Sequence, residues 1–171
     1  MAGYSHVDEI VVECVQTPTD EVRSLIGELD RTLAREYLPE QRHGLRVDTI
    51  FQPHVRFFVA RLDGHAVGCG GVALFESFAE VKRMYVCDDA RGRGVARALL
   101  SRIESETRGS GLTVLRLETG DRQFDAIRLY ERAGFQRCEM FGEYATMPPR
   151  AIATSIFLEK HLALGRNTHA Q

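Results

Sequence analysis

A strand, a glycine-rich turn and a helix follow one another in the middle of the chain. The segment from Glu80 to Val86 has the pattern of a strand, and Arg91-Gly92-Arg93-Gly94 comes soon after it. From Val95 onward, apolar residues recur at helical spacing. Because glycines let successive backbone N–H groups converge at the partially positive start of a helix, this turn predicts a binding site for an anion such as a pyrophosphate.

Positive charge is concentrated at this turn, although the chain as a whole is nearly neutral. The 171 residues carry 22 Lys and Arg against 24 Asp and Glu, a net charge of −2. That balance does not favour a nucleic-acid partner. Arg91, Arg93 and Arg97 nevertheless gather at one helix start, where they would add charge-assisted donors to a bound anion.

Two common phosphate-binding loops do not match this turn. The P-loop requires a Gly-Lys-Ser/Thr ending, which is absent. The dinucleotide fingerprint requires a third small residue where this chain has Arg97. A glycine-rich turn that binds nothing, and a nucleotide-binding protein of another kind, both remain open at this point.

The rest of the chain predicts one α/β domain, with a mixed sheet and helices packed on its faces. The order is strand, helices, three strands, helix, strand, helix and two strands. The predicted strands are Glu9–Gln16, Val55–Leu62, Ala66–Phe75, Glu80–Val86, Leu112–Thr119, Phe135–Phe141 and Ala153–Leu158. The first helix is predicted to be capped at Thr17 and to end by Pro39, and a later helix to span Asp125–Ala133.

Several classes of protein are disfavoured. Residues 1–164 are predicted to form a single domain, with 165–171 as a tail. The N-terminus lacks the pattern of a secretory signal, and no apolar stretch approaches the roughly 20 residues that span a bilayer, so a cytoplasmic protein is expected. Cysteines stand singly without metal-ligand spacing, which predicts small buried side chains and no metal site. They are Cys14, Cys69, Cys87 and Cys138.

The spacing Arg91-x-x-Gly94-x-Ala96, together with the segment from Asp125 to Phe135, resembles the GNAT superfamily of acyl-CoA N-acyltransferases. Leu117-Glu118-Thr119-Gly120 and Tyr37-Leu38-Pro39-Glu40 are also similar to a bacterial branch of small GNAT proteins. The resemblance implies a mostly antiparallel sheet of about seven strands, splayed in the middle. It also implies acetyl-CoA or coenzyme A as co-substrate, and members of the family often form homodimers.

The family pattern assigns coenzyme A to two parts of this chain. The glycine-rich turn would bind the pyrophosphate, and the strand before it would bulge and present backbone groups to the pantetheine arm. Gln123 stands where many members have asparagine, so its contact is less well implied. The implied residues are Met84, Tyr85, Val86, Arg91, Gly92, Arg93, Gly94, Val95, Ala96, Arg97 and Gln123.

Two residues are candidates for proton transfer. Tyr130 matches the tyrosine that protonates the departing thiolate in many members, although its helical spacing also suits a core aromatic. Glu118 could accept a proton from the acceptor amine, directly or through water, or could be a solvated or arginine-paired carboxylate. Weaker candidates for this work or for acceptor binding are Glu80, Glu40 and His43. Arg83 is expected to pair with Glu80 or Glu118 rather than meet an anionic acceptor.

The resulting hypothesis is an N-acetyltransferase that acts on a primary amine of a small molecule or peptide. The family chemistry needs no covalent intermediate on the enzyme, so the amine would attack the thioester directly in a ternary complex. A non-catalytic acyl-CoA sensor with the same fold is the alternative. Acceptor contacts are expected at Tyr37–Leu45 and Phe141–Arg150.

Overall fold

The computed structural model describes residues 8–164, which form a seven-stranded sheet with helices on both faces. The strand order is β1-β2-β3-β4-β5-β7-β6, and the β4–β5 pair is parallel while the others are antiparallel. The strands are β1 (Ile10–Val15), β2 (Val55–Leu62), β3 (His65–Leu74), β4 (Ala79–Val86), β5 (Val114–Gly120), β6 (Gln136–Arg137) and β7 (Ser155–His161). The helices are α1 (Asp20–Glu36), α2 (Val95–Gly109), α3 (Phe124–Arg132) and α4 (Pro149–Ile152).

The predicted α/β architecture, including the mostly antiparallel sheet of seven strands, is confirmed. Strand β2 shows why two layers of helix are needed, because its side chains are buried on both sides of the sheet. Phe57 and Val59 pack with α1 residues such as Ile26. Phe58 and Ala60 pack on the opposite face with α2 residues such as Leu99.

The sheet opens between β4 and β5. These strands pair at Ala79 with Leu115 and at Glu80 with Arg116, and no pairing is recorded beyond Glu80 among residues 8–164. In the same region β4 bulges, because the single residue Gly70 of β3 lies opposite two residues of β4. The predicted bulge and splay are therefore both present, and together they make a cleft in the middle of the sheet.

The structure corrects the predicted cap of α1 and the predicted bounds of the last two strands. Thr19 rather than Thr17 caps α1, since its hydroxyl accepts a hydrogen bond from the Val22 N–H at 3.2 Å. The strand predicted from Phe135 to Phe141 is shortened to β6, because the chain turns away to bring Phe141 against Phe78, Tyr144 and Phe157.

The last strand, β7, begins after α4 and runs three residues further than predicted.

Two further observations concern the environment of the chain. All four cysteines are free, as predicted, but only Cys69 is buried, while Cys14 is exposed. Between residues 8 and 164, no helix combines the length and apolar character needed to cross a membrane. The predicted tail lies outside the described residues.

Candidate active site

A cleft of about 120 Å³ lies where β4 and β5 separate. One wall is formed by β4 from Glu80 to Met84, and the facing wall by Leu117–Gly120 of β5. The segment Gln41–Gly44 and the hydroxyl-bearing rings of Tyr130 and Tyr144 complete the lining. The structure therefore brings the two predicted proton-transfer residues, Glu118 and Tyr130, into one cleft.

The bulge in β4 decides which side chains reach this cleft. With strict alternation, Arg83 would share a face with Val81, which packs in the apolar layer beside α2. Instead Arg83 has φ +56° and pairs with Asp30 on α1. The side chains of two successive residues, Lys82 and Arg83, thus lie on the α1 side of the sheet, and that of Met84 lies on the α2 side. The bulge adds a second cation to a wall that a regular strand would leave partly apolar.

A buried ion pair lies in the β4 wall. The Lys82 ammonium is 2.9 Å from Glu80 Oε1, and their side chains are 8% and 4% exposed. Tyr144 donates a hydrogen bond to Glu80 Oε1 at 2.6 Å and accepts one from Lys82 Nζ at 3.1 Å. Burial and the Glu80 charge raise the pKa of Tyr144, so its hydroxyl stays protonated. Glu80 is therefore committed to this network and is not a free base.

Arg83 does not form the ion pair predicted for it with Glu80 or Glu118. Its guanidinium pairs with Asp30 and lies against Gly44, where any added side chain would collide with it. The prediction was wrong because sequence alternation cannot show a bulge, and the bulge turns this side chain toward α1.

Glu118 is a partly buried carboxylate on β5 with no ion-pair partner within 4.0 Å among residues 8–164. Burial raises its pKa to about 7, helped by repulsion from Glu80 and opposed by Ser155 and Lys82. The Ser155 hydroxyl is close enough to lower the pKa, although its buried oxygen has no hydrogen-bond partner by geometry. A carboxylate that titrates near neutral pH is suited to general-base work.

Tyr130 lies on α3, and its ring is 6% exposed and packs edge-on against Phe135 at 5.7 Å. Tyr130 belongs to the core layer and also lines the cleft, and its role in proton transfer stays a prediction. Burial, with a contribution from the Glu118 charge, raises its pKa. Within residues 8–164, no hydrogen bond occupies its hydroxyl, which is therefore protonated and available as a donor.

The weaker candidates are separated by the structure. His43 lines the cleft, but its Nε2 lies 2.8 Å from the Ala151 carbonyl oxygen and its ring packs edge-on against Tyr144. Nε2 therefore carries the proton that it donates to Ala151. Glu40 is exposed, lies 3.9 Å from Arg150 and does not line the cleft. His43 shapes the wall, while Glu40 belongs to the surface.

The glycine-rich turn has the backbone geometry predicted for it. Gly92 and Gly94 have φ values of +74° and +86°, a region that favours glycine, and α2 begins directly afterwards. The Arg91 N–H donates a hydrogen bond to the Asp88 carbonyl oxygen, and the Ala98 N–H donates one to the Gly94 carbonyl oxygen. Among residues 8–164, the backbone N–H groups of residues 92–97 donate no hydrogen bond. The N–H groups in between are free for an anion.

The arginines near the turn are less free than the sequence suggested. Arg93 pairs with Asp8 at 2.7 Å, and Arg91 lies 3.2 Å from Asp88 and also donates to the Val86 carbonyl. Arg97 is exposed and forms no ion pair with the described residues. Backbone groups rather than guanidinium groups are therefore the main donors that this turn offers.

Gln123 lies at the start of α3 and lines the cleft close to Tyr37. The Tyr37 hydroxyl accepts a hydrogen bond from the Arg122 N–H at 2.8 Å and packs against Gly120, where an added Cβ would collide with it. The end of α1 is thereby fixed against the end of β5.

Lys82, Tyr144 and Arg42 line the cleft but were not singled out from the sequence. One signal for Lys82 was present, because a lysine in the interior of a predicted central strand needs a buried partner. Arg42 lies in an irregular segment and Tyr144 in a short 3₁₀ helix (Gly142–Thr146), and both stretches are too short for periodicity to predict which way a side chain faces.

The residues present fit acetyl-CoA as a co-substrate. Free N–H groups at a helix start suit a pyrophosphate, and the open side of β4 beyond Glu80 suits an extended amide-bearing chain. No group of three or more potential metal ligands occurs among residues 8–164.

Comparisons with known proteins agree with this arrangement. Residues 23–135 match the model of the acetyltransferase (GNAT) family. The chain is 45% identical over 145 residues to an IAA acetyltransferase of Azospirillum brasilense, covering 84% of this chain and 92% of that protein. It is 32% identical to the N-acetyltransferase YsnE of Bacillus subtilis, covering 83% and 93%.

Solved structures support the same assignment. A crystal structure from Klebsiella pneumoniae, assigned to the acyl-CoA N-acyltransferases, has 34% identity and a TM-score of 0.71 over 90% of this chain and 98% of that one. A GNAT acetyltransferase from Elizabethkingia anophelis, solved with acetyl-CoA bound, has 17% identity and a TM-score of 0.65, covering 90% and 98%, and shares the fold. With its splayed sheet and glycine-rich turn, this chain belongs to the GNAT family of N-acetyltransferases, which transfer an acyl group from acyl-CoA.

Proposed function

We propose that this protein transfers the acetyl group of acetyl-CoA to a primary amine by direct attack in a ternary complex. The observation that carries the proposal is that Glu118 and Tyr130 line the same cleft. The pKa of Glu118 is raised to about 7, whereas Tyr130 stays protonated. One group is thus poised to take up a proton at neutral pH and the other to give one.

Acetyl-CoA supplies the acetyl group as an activated thioester. Glu118 accepts a proton from the acceptor ammonium and leaves a nucleophilic amine. As the amine nitrogen bonds to the carbonyl carbon, the C–S bond breaks, and Tyr130 donates its proton to the sulfur. The attacking nitrogen loses its second proton as the amide forms, and this proton returns through solvent to Tyr130. The proton held by Glu118 passes to solvent.

The coenzyme is held by the two elements that flank the bulge. Backbone N–H groups of Gly92 to Ala96 bind the pyrophosphate, with Arg97 as the free nearby cation. Met84, Tyr85 and Val86 provide the open strand edge, although the Val86 carbonyl is already taken by Arg91. A backbone N–H of this strand polarises the thioester carbonyl, and Gln123 borders the reacting end.

The proposed activity is tested by the release of free thiol from acetyl-CoA in the presence of a panel of amines. Mass spectrometry of the products identifies the acetylated acceptor. IAA is tested beside the amines as a separate compound, because the Azospirillum relative is named as an IAA acetyltransferase. We expect amine-dependent thiol release and a product heavier by one acetyl group. Binding of acetyl-CoA without transfer to any amine would instead support the sensor.

Replacing Tyr130 with phenylalanine is expected to lower kcat by about 10². The effect is placed at the low end for general-acid catalysis, because a thiol has a pKa near 8.5 and its thiolate leaves without full protonation. The hydroxyl has no hydrogen-bond partner among residues 8–164, so Tm should hardly change. Kinetics and thermal unfolding of the same preparation check both statements, and an unchanged kcat would exclude the acid role.

A further inference from the structure

Two arginines that line the cleft hold buried Nε atoms without a hydrogen-bond partner in the described chain. They are Arg42 and Arg83. A buried donor without a partner is unfavourable, so native proteins rarely keep one without a water, ion or ligand to satisfy it. The two orphan donors border the same cleft and therefore indicate a ligand with acceptor atoms.

Arg83 is held in place from several directions. Its side chain is 4% exposed, its Nη2 is taken by Asp30, and its guanidinium lies close against Gly44. The left-handed backbone at Arg83 is tolerated only because the bulge and these contacts enforce it. An arginine fixed in this way, with Nε left over, is preorganised to donate to a bound group.

Arg42 brings a positive charge that no described residue neutralises. No carboxylate lies within 4.0 Å of it among residues 8–164, although Lys82 and Arg83 in the same cleft are both paired. Glu118 is the carboxylate of the cleft that forms no ion pair with the described residues. The charges left over in the cleft are therefore one guanidinium and one carboxylate.

From these leftover charges we infer that the acceptor is a small amino acid, whose carboxylate binds the Nε side of Arg42 and Arg83 while its ammonium faces Glu118. The fork of a guanidinium matches the two oxygens of a carboxylate, and an ammonium is the natural partner of Glu118 before proton transfer. The cleft volume of about 120 Å³ favours a small acceptor. This inference rests on the proposed acetyl transfer for its reaction, but not for its binding site.

The test compares each of the proteinogenic L-amino acids with its own α-carboxamide, which keeps the amine and removes the negative charge. We expect at least one amino acid to have a KM about tenfold or more below that of its amide, because hydrogen bonds to a charged carboxylate are stronger than those to a neutral amide. Arg42→Gln should remove this preference by raising the KM of the acid alone. Arg42→Lys should retain part of it.

Arg46→Gln is the matched control. Arg46 is exposed, lies in the same segment and does not line the cleft, so the same change of charge there should leave both KM values unaltered. Equal KM values for acids and amides in the wild-type protein would overturn the inference. So would an Arg42→Gln variant in which both KM values rise together.

Binding is measured separately, so that failure of the inference and failure of the proposed function can be told apart. Thermal shift with amino acid or amide, in the presence of coenzyme A, reports binding without turnover. Stabilisation by acids alone, lost in Arg42→Gln, supports the carboxylate site even if no amine is acetylated, in which case the proposed transfer fails. Acetylation of amines without any preference for a carboxylate sinks the inference and leaves the transferase intact.

Discussion

Replacing Glu118 with glutamine is expected to lower kcat by a factor of about 10² to 10⁴, the range for loss of a positioned general base. Glutamine has the size of glutamate and can still form hydrogen bonds through its amide, but it cannot take up the proton of the acceptor amine. In the wild-type protein, kcat/KM should rise with pH through the Glu118 pKa of about 7 in the free protein, because the carboxylate form is the active one. The variant should lose this limb of the profile.

The same substitution should increase stability. The pKa of Glu118 is raised from 4.5 in the unfolded chain to about 7, so the folded protein binds the proton more tightly. The contribution of this group to the free energy of unfolding is fully present below about pH 4.5 and is lost as the pH rises through 7. Glu118→Gln should therefore be more stable than the wild type at pH 8, by at most about 3 kcal/mol, with no advantage at pH 4.5.

Glu76→Gln is the control for both measurements. Glu76 is exposed and does not line the cleft, so its loss should leave kcat unchanged. The free energy of unfolding should change by no more than about 0.5 kcal/mol. A gain in stability combined with a loss of activity is the pattern of a group kept in a costly environment for function. A Glu118→Gln variant with full kcat would show that another group accepts the proton.

Sequence reasoning recovered most of the fold because the dominant elements are strongly patterned. The bounds of β2 and β3 and the start of the helix at Val95 were predicted within about a residue. The exception is the segment from Phe135 to Phe141, where apolar residues pack into an aromatic cluster instead of extending a strand. Alternation cannot distinguish these two ways of burying the same side chains.

The site was harder to predict than the fold, because it depends on departures from regularity. Tyr130 and Glu118 were found through the family resemblance, and the structure places both in the cleft. Arg83 was given the wrong partner, since one bulged residue reverses the facing of a side chain. Arg42 and Tyr144 are brought to the cleft by loops, whose paths depend on tertiary contacts. What the sequence could not supply was the set of side-chain partners.

Replacing Lys82 with methionine is expected to destabilise the protein by about 3–5 kcal/mol at pH 8, the cost of leaving a charge buried without its partner. Glu80 would remain 3% exposed, with only the Tyr144 hydroxyl to compensate it. Urea denaturation of the wild type and the variant at pH 8 measures the loss.

The chain provides its own control, since it has two lysines. Lys160 pairs with Glu104 at 2.6 Å, but the lysine side chain is 24% exposed against 8% for Lys82. Lys160→Met should therefore cost about 1 kcal/mol or less. Equal losses at the two sites would mean that burial does not set the strength of the Lys82 pair.

The double variant Glu80→Gln with Lys82→Met separates the lost pair from the orphaned charge. Removing both charges takes away the desolvation cost together with the attraction, so the double variant should recover most of the stability lost by Lys82→Met. The pH profile separates the two variants as well, because the Lys82 charge lowers the pKa of Glu118 and the Glu80 charge raises it. Lys82→Met alone should move the rise of kcat/KM to a higher pH, whereas the double variant, which loses both opposing charges, should return it toward pH 7. A return of the profile together with the stability would show that the ion pair sets the pKa of Glu118 as well as the stability of the fold.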